Sequence, residues 1–197
     1  IDIPKRGFAY KSNSSLDMRM NNSSGLTAIN VVNEYTEKEL SDVFFYYGDF
    51  KDSKKIAKQI FNKRNEKEII PTYDLVAALE GLFSEKNKNK YLARIFQAIR
   101  IEVNDEINSL KKLLNDATKL LKSEGRLVVI SYHSLEDRLV KNLINKGSID
   151  GKSNQDFFGK VTKIYTPINK RVIIPNNEES KKNKRSRSAK LRIAEKI

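Results

Sequence analysis

The sequence predicts an α/β protein in which a helical stretch precedes a strand and a further helix. Apolar residues recur at steps of three and four through much of residues 36–121, the spacing of amphipathic helices. The run RLVVISY at 126–132 is rich in β-branched residues and lies between Gly125 and a polar turn. Such a run suits a buried parallel strand, and helix, strand and helix in this order make half of an α/β layer.

Composition limits the kind of protein and its partners. The 197 residues, 39% of them hydrophobic, suffice for one domain or for one domain with an insertion. The net charge of +13 favours a polyanionic partner, with an acidic membrane surface as the alternative. Residues 160–197 carry twelve Lys and Arg against three Glu, so most of the asymmetry lies at the end of the chain.

Three absences in the sequence restrict the location and the metal chemistry. The chain has no cysteine and one histidine, which argues against a zinc site and a disulfide framework. It also has no signal-peptide pattern and no apolar run of roughly 20 residues that could span a bilayer. We therefore expect a cytoplasmic protein without a resident metal or a membrane partner.

The first half of the chain predicts a loop followed by short helices. Residues 1–25 are polar and irregular, and they begin without methionine, as if cut from a longer chain. Thr36 and Glu39 form a capping-box pattern for a helix that Gly48 ends. Two more helices are predicted, one around residues 56–61 and one after Pro71 with Thr72 as its cap, and the segment SEKNKNK at 84–90 predicts a surface connection.

The second half of the chain predicts one long helix, the strand at 126–132 and a second helix. Apolar residues from Leu92 to Leu121 keep one helical face, and Gly125 is the predicted end of that helix. Ser134 with Asp137 predicts the cap of the next helix. Three further strands are predicted within 160–166, 170–174 and 189–197, and residues 180–188 (SKKNKRSRS, called the basic segment) predict a loop between strands.

Polar side chains directly after the strand at 126–132 are candidates for a functional site. Ligands of α/β sheets bind beyond the carboxyl ends of the strands, where His133, Ser134, Glu136 and Asp137 follow. The alternative is that Ser134 and Asp137 only cap a helix while His133 makes one structural hydrogen bond. The sequence has no G-x-S-x-G elbow, which argues against a serine hydrolase.

Two other groups of residues allow both a functional and a structural interpretation. Gln97, Arg100 and Asn104 share one helical face, which is either simply solvated or contains polar groups that need partners. The clustered cations of the basic segment suit phosphate binding, although they could merely keep the protein soluble. Among the aromatic residues, Phe8, Tyr10 and Tyr132 could stack on bases or belong to the core.

Several blocks of the sequence resemble one known family. The blocks are RGFAY, LDMRM, GLTA, VVNEY, FQAIRIEVNDE, GRLVVISYHSLEDRLVK and RSRSAKLRIAEK, in this order. Together they resemble the MraW-type family of bacterial S-adenosylmethionine-dependent methyltransferases, which modify a cytosine amino group in 16S ribosomal RNA. The resemblance runs from about residue 5 to the end of the chain. It implies a partial Rossmann-like methyltransferase domain, to which residues 1–25 and 94–197 belong, with an all-helical insertion at 26–93.

The sequence also departs from this family. Members carry, before the equivalent of RGFAY, a glycine-rich loop, an acidic residue for the cofactor ribose and further strands, and none of these is found here. We therefore expect the S-adenosylmethionine contacts upstream of residue 1 and assign no cofactor-binding residue. The chain is then either a fragment, which we expect to be inactive alone as an enzyme, or a shortened relative that has lost methyl transfer.

The resemblance implies roles for the candidate residues. His133, Ser134, Glu136 and Asp137 would surround the target cytosine, which must leave its stack to react, and Arg100 and Asn104 would orient them. Phe8 and Arg19 would grip the RNA, together with Lys184, Arg185 and Arg187 of the basic segment. The implied partner is 16S ribosomal RNA in the small ribosomal subunit, and a homodimer remains open. The alternative is a catalytically silent module for RNA binding or ribosome assembly.

Overall fold

The computed structural model describes residues 4–23, 25–152, 163–169 and 171–197. The chain divides into two compact units, Ile1–Glu106 and Ile107–Ile197, called the first and the second unit. The first unit contains 17 Lys and Arg against 16 Asp and Glu, whereas the second contains 21 against 9. The positive charge of the protein is therefore concentrated in the second unit.

The first unit is built from helices around one apolar core. Its core includes Leu40, Phe44, Ile60, Leu75 and Ile99, all of them buried. A short 3-10 helix, Pro4–Arg6, precedes the α-helices. The helices are α1 (Ala28–Glu34), α2 (Glu37–Tyr46), α3 (Ser53–Glu66), α4 (Thr72–Ala78) and α5 (Glu85–Val103).

Local capping signals place the starts of α1 and α2. The Thr36 hydroxyl accepts from the backbone N–H of Glu39, and the Glu39 carboxylate accepts from the backbone N–H of Thr36. This confirms the predicted capping box. Thr27 and Asn30 form the same reciprocal arrangement at the start of α1. Helix α2 ends at Tyr46, two residues before Gly48, as predicted.

The predicted loop before α1 is irregular but firmly attached to the core. The side chains of Leu16 and Met18 are fully buried. The backbone N–H of Leu16 donates to the Ile70 carbonyl at 3.0 Å, and that of Ile29 donates to the Leu16 carbonyl at 2.8 Å. Met18 has a φ of 58°, a left-handed conformation that costs energy in a non-glycine residue. Two buried apolar anchors therefore hold this loop on the first unit.

Three predictions for the helices and their connections are wrong. Thr72 does not cap α4, because its hydroxyl donates to the Ser12 carbonyl and Pro71 occupies the cap position. Residues 85–90 are the first turns of α5 rather than a surface connection. The single long helix is interrupted after Val103, where Asp105 takes a φ of 47° and a new helix begins at Glu106.

The second unit combines helices with a small antiparallel sheet. Helix α6 covers Glu106–Leu120, α7 covers Ser134–Lys146 and α8 covers Asn177–Lys182. The strands are β1 (Arg126–Ser131), β2 (Tyr165–Pro167) and β3 (Lys190–Lys196), in the order β1-β3-β2. In the register, Val128 faces Ile193 and Tyr165 faces Lys196.

Strand β1 lies where it was predicted, but its pairing and burial differ. Within the described residues it pairs only with β3, and this pairing is antiparallel. Leu127 is buried in the core of this unit, whereas Val128 and Ile130 on the other face are 57% and 56% exposed. The prediction of a buried parallel strand is thus wrong for the described structure, because the apolar residues lie on two faces and only one face is covered.

The sheet packs on α7 and is tied to α6. Leu127, Val140, Leu143 and Tyr165 belong to one buried cluster. The Tyr165 hydroxyl lies 3.0 Å from the hydroxyl of Thr118 on α6. The Lys196 ammonium donates to the carbonyls of Thr118 and Leu121 at 2.7 and 2.6 Å, where a cation satisfies the last carbonyls of α6. Helix α6 ends at Leu120, whereas Gly125 was predicted as the end of the helix.

The remaining predictions for the second unit are confirmed only in part. The strand at 190–196 is confirmed. The strand predicted at 160–166 lies partly outside the described residues and is seen from Tyr165 on, and that at 170–174 contributes an isolated bridge between Ile173 and Leu191. The basic segment is not a plain loop, since it contains the end of α8 and a 3-10 turn at Ser186–Ser188. None of the described helices combines the length and the apolar character that crossing a membrane requires.

These bounds agree with a mixed α/β fold. The proposed division into a methyltransferase domain and an insertion at 26–93 stays a prediction.

Candidate functional site

The turn between β1 and α7 is organised by His133 and Glu136. His133 is the N-cap of α7, and its Nδ1 accepts from the backbone N–H of Glu136 at 3.4 Å. The Glu136 carboxylate accepts from the backbone N–H groups of Tyr132 at 2.8 Å and His133 at 3.3 Å. The predicted cap at Ser134 with Asp137 is therefore displaced by one residue, and Ser134 is the exposed first residue of the helix.

The second ring nitrogen of His133 faces the Glu136 carboxylate. Nε2 lies 3.2 Å from Oε1 of Glu136, close enough for electrostatic attraction, although no hydrogen bond is aligned there. Because Nδ1 acts as an acceptor, the neutral ring carries its proton on Nε2. Burial raises the pKa of Glu136, but the contacts with His133 and with the backbone N–H of Tyr132 outweigh burial and hold the pKa below its usual value. The carboxylate is therefore an ionised acceptor at neutral pH.

Asp137 is bound by two cations from β3. Arg192 donates from Nε to Oδ1 at 2.7 Å and from Nη2 to Oδ2 at 3.2 Å, and the Lys190 ammonium lies 3.3 Å from Oδ2. Burial raises the pKa of Asp137, but these two cations outweigh it and lower the pKa. Both carboxylate oxygens are thus occupied, and Asp137 connects the first turn of α7 to β3.

Asn104 joins the end of α5 to the loop that contains Met18 and Met20. Its amide nitrogen donates to the carbonyls of Met18 and Arg100, both at 2.8 Å. Its side-chain oxygen accepts from the backbone N–H of Met20 at 2.6 Å. Asn104 is a polar residue in an apolar run, and it has three hydrogen-bond partners in the protein. Of the two interpretations of this helical face, the one in which its polar groups need partners therefore fits Asn104.

Arg100 and Arg19 are each held by a carboxylate within the first unit. Arg100 donates to Glu106 from Nε and Nη2 at 2.8 and 3.0 Å. Arg19 donates to Asp17 through the same two atoms, both at 2.8 Å. Salt bridges of this two-bond form fix the planes of both guanidinium groups.

Phe8 lies beside a cavity of about 400 Å³ in the first unit. Its ring is partly buried, and the Arg6 guanidinium lies 5.7 Å from the ring centre. The same cavity is lined by Tyr10, Gln97 and Arg100. The structure therefore brings Phe8 and Arg100 to one cavity, which the sequence alone did not indicate.

The predicted RNA-binding cations of the basic segment are exposed at a short, anchored turn. Lys184, Arg185 and Arg187 are exposed, whereas Ser186 between them is buried. The Ser186 hydroxyl donates to the Asn183 carbonyl at 2.8 Å. A small buried side chain thus fixes a turn on which the neighbouring basic residues are exposed.

The structure divides the predicted site residues between the two units. Arg100 and Asn104 belong to the first, and the residues of the 133–137 turn belong to the second. The proposed orientation of this turn by Arg100 and Asn104 stays a prediction. Lys190 and Arg192 were missed, although their alternation in β3 placed both on one face of a strand.

Comparison with known proteins identifies the family. The mixed helix-and-sheet fold is consistent with an α/β methyltransferase. The model of the MraW methylase family matches residues 1–197, and the chain belongs to that family. The chain is similar to "Ribosomal RNA small subunit methyltransferase H" of Phocaeicola vulgatus, with 50% identity over 196 residues, and of Bacteroides fragilis, with 48% over 196 residues. The protein of the same name from Flavobacterium johnsoniae is 47% identical over 197 residues.

The match covers all of this chain but only part of each relative. Each alignment includes 100% of the chain and 64% of the Phocaeicola and Bacteroides proteins, or 65% of the Flavobacterium protein. The chain thus spans somewhat less than two thirds of the length of these relatives.

Proposed function

We propose that this chain is part of an S-adenosylmethionine-dependent enzyme that methylates a cytosine amino group in 16S ribosomal RNA. The observation that carries the proposal is the family match over residues 1–197, together with relatives named as methyltransferases of the small-subunit ribosomal RNA. In this proposal the second unit belongs to a Rossmann-like methyltransferase domain, and residues 26–93 form its helical insertion.

The chemistry of the reaction gives the turn after β1 a role. The lone pair of a cytosine amino group is delocalised into the ring, so the amino group is a weak nucleophile that needs acceptors for its hydrogens. The Glu136 carboxylate is ionised and partly exposed, and its Oε1, which accepts from neither of the two backbone N–H groups, is the acceptor that we assign to this task. His133 would position Glu136 through the cap, and its ring would face the base that has left its stack.

The neighbouring residues receive different roles. Asp137 is a positioning residue in this proposal, because Arg192 and Lys190 occupy its carboxylate. Arg100 and Asn104 would order the end of α5 and the Met18 loop near the substrate. Ser134 is exposed at the helix start and would contact the RNA.

The described residues do not supply a recognisable cradle for the methyl donor. S-adenosylmethionine would provide the methyl group from its sulfonium, but β1 leads directly into the His133 cap without a glycine-rich turn. We assign no described residue to the cofactor. The donor therefore rests on family membership alone.

The basic segment is the first candidate for binding the RNA phosphates. Its Lys184, Arg185 and Arg187 are exposed, and the second unit has an excess of twelve positive charges. Arg19 is a weaker candidate, since its guanidinium is bound to Asp17, and Phe8 would contribute an aromatic surface.

A second function, a catalytically silent RNA-binding or ribosome-assembly module, is favoured by one observation. Lys184, Arg185 and Arg187 of the basic segment are exposed, and such cations bind RNA phosphates whether or not a methyl group is transferred. Transfer of a labelled methyl group to 16S ribosomal RNA separates the two functions, with nucleoside analysis for methylated cytidine and with protein from the complete gene. Methylated cytidine that disappears in Glu136→Gln would support the enzyme. RNA binding without any methyl transfer would instead support the silent module.

A further inference from the structure

A second cavity of the first unit is lined by none of the candidate site residues. It has a volume of about 520 Å³ and is formed by the turn before α3 and by the start of α5. This volume falls within the range of roughly 300–1,000 Å³ that is typical of small-molecule pockets. Its lining combines aromatic rings with both basic and acidic side chains.

Three aromatic rings form one wall of this cavity. Phe83 and Tyr91 are stacked, with ring centres 4.5 Å apart and planes 16° apart. Phe50 is 5.8 Å from Tyr91 and is tilted by 34°. Phe50 is buried, whereas Phe83 and Tyr91 keep part of their surface accessible. A planar ligand can therefore extend an aromatic stack that already exists.

The position of Phe50 is fixed by its surroundings. The Arg94 guanidinium lies 4.3 Å from the centre of the Phe50 ring. It donates to the Gly48 carbonyl at 3.1 and 2.6 Å and to the Asp49 carbonyl at 2.6 Å. A side chain at residue 48 would approach the Phe50 ring to 2.5 Å, so glycine is needed for this packing. The wall is thus held in place rather than being a loose surface cluster.

The charge around the cavity favours an anionic ligand. The lining itself contains Lys51, Lys55 and Arg94 against Asp49 and Asp52. The segments 49–58 and 84–94, which supply most of this lining, contain eight Lys and Arg against three Asp and Glu. Lys51 and Lys55 line the cavity and are exposed. This local excess contrasts with the first unit as a whole, where 17 basic residues face 16 acidic ones.

We propose that this cavity binds one unstacked nucleotide of single-stranded RNA, with its base against Phe83 and Tyr91 and its phosphate near Lys51 and Lys55. Stacking on aromatic side chains with basic groups along the backbone is how proteins hold single-stranded nucleic acids. The choice of RNA as the ligand rests on the proposed function. The site itself would be separate from the one that reacts, and it would hold a neighbouring part of the substrate.

Photocrosslinking tests this inference on the 197-residue chain. The probe is a short single-stranded RNA with one thiouridine, and mass spectrometry identifies the crosslinked peptide while fluorescence anisotropy gives the affinity. We expect crosslinks to the peptide that contains Tyr91. Tyr91→Leu should weaken binding by about 5- to 150-fold, the range for loss of one base stack, and Lys55→Gln should weaken binding and reduce its salt dependence.

Two matched variants control for general effects. Tyr46→Leu removes an exposed aromatic ring that does not line the cavity, and Lys54→Gln removes a neighbouring exposed charge on α3. Both should bind the RNA as the unchanged chain does. Equal affinity of Tyr91→Leu and Tyr46→Leu, or crosslinks confined to other peptides, would overturn the inference. If Tyr91→Leu does not fold, the comparison of Lys55→Gln with Lys54→Gln replaces it, and equal RNA affinity of these two variants would overturn the inference.

The readout is RNA binding, so the absence of methyl transfer would leave its result unchanged. The failure of this inference and the failure of the proposed function are therefore distinguishable.

Discussion

Arg192 on β3 holds the carboxylate of Asp137 on α7 through two hydrogen bonds of 2.7 and 3.2 Å. The two residues are 55 positions apart, and Lys190 adds a third contact at 3.3 Å. This ion pair connects a strand near the end of the chain to the first turn of the helix that carries Glu136. A change at Asp137 should therefore affect the stability of the fold as well as any chemistry at the turn.

We expect Asp137→Asn to lower the free energy of unfolding by about 1–3 kcal/mol, because it leaves two cations without their charged partner. Chemical denaturation monitored by circular dichroism measures the change. Asp150→Asn is the control, since Asp150 is exposed and lies 3.5 Å from Lys111 in a surface ion pair. Equal losses in the two variants would contradict the special role of the Arg192 pair.

The same pair predicts a dependence of stability on pH. The pKa of Asp137 is lowered in the folded protein, so its contribution is fully present above the unfolded pKa of about 3.9. This contribution is lost as the pH falls through the lower, folded pKa. Below about pH 4 the unchanged protein should therefore lose unfolding free energy more steeply than Asp137→Asn. Parallel curves for the two proteins would show that Asp137 does not carry this acid sensitivity.

His133 offers a way to separate a structural role from a chemical one. His133→Ala removes the N-cap of α7 and should cost about 1 kcal/mol of stability. His133→Asn keeps an oxygen that can cap the helix, so its stability should stay close to that of the unchanged protein. Thermal unfolding provides the comparison.

Methyl transfer by the protein from the complete gene supplies the second readout for these variants. If the imidazole ring faces the base, both variants should lose rate, although only the alanine variant loses stability. Full activity of His133→Asn would restrict His133 to the capping role.

The sequence could predict the features that local contacts decide. The capping box of Thr36 and Glu39 was predictable because both partners lie within four residues. The cap of α7 was misplaced by one residue, because Asp137 fits a local pattern while its carboxylate is bound by the distant Arg192. A short stretch of sequence around Asp137 does not include Arg192, so it cannot show which of the two contacts the carboxylate makes. The turn stays a predicted site, and the sequence pointed to it because polar groups after a strand mark a general position for sites.

Features that depend on partners distant in the chain could not be predicted from the sequence. The apolar pattern continues on both sides of Asn104 and Asp105, because α5 and α6 both have apolar faces. The pattern therefore does not reveal that the helix is interrupted between Val103 and Glu106. Whether β1 pairs in a parallel or an antiparallel direction depends on β3, which lies more than fifty residues later in the chain. The cavity of Phe50, Phe83 and Tyr91 combines segments more than thirty residues apart, and only the folded chain brings them together.

The basic segment predicts a specific salt dependence of RNA binding. Reversing the charges of Lys184, Arg185 and Arg187 should weaken binding and flatten the plot of affinity against salt, because fewer counterions are released from the phosphates. The buried Ser186 stays unchanged, so the turn should keep its fold. Affinity for 16S ribosomal RNA measured over a range of salt concentrations tests this expectation.

A charge-matched control is available in the same unit. Lys112, Lys119 and Lys122 are exposed on α6 and directly after it, and their reversal changes the net charge equally. If this control weakens binding as much as the reversal in the basic segment, total charge rather than a local RNA contact explains the effect. An unchanged salt slope in the basic-segment variant would remove the reason for assigning that segment to RNA.

Asn104 should govern the order of the loop that contains Met18 and Met20. Asn104→Asp keeps an acceptor for the Met20 N–H but replaces the donor to the Met18 carbonyl by an oxygen, so two acceptors would face each other. We expect a loss of about 1 kcal/mol, the lower end of the cost of an unsatisfied polar group, because Asn104 is only partly buried. Amide hydrogen exchange at Met20 should accelerate with it. Asn89→Asp on the exposed side of α5 is the control and should leave this exchange unchanged. If Met20 exchanges at the same rate in both variants, the contacts of Asn104 do not hold the loop, and the buried side chains of Leu16 and Met18 suffice to anchor it.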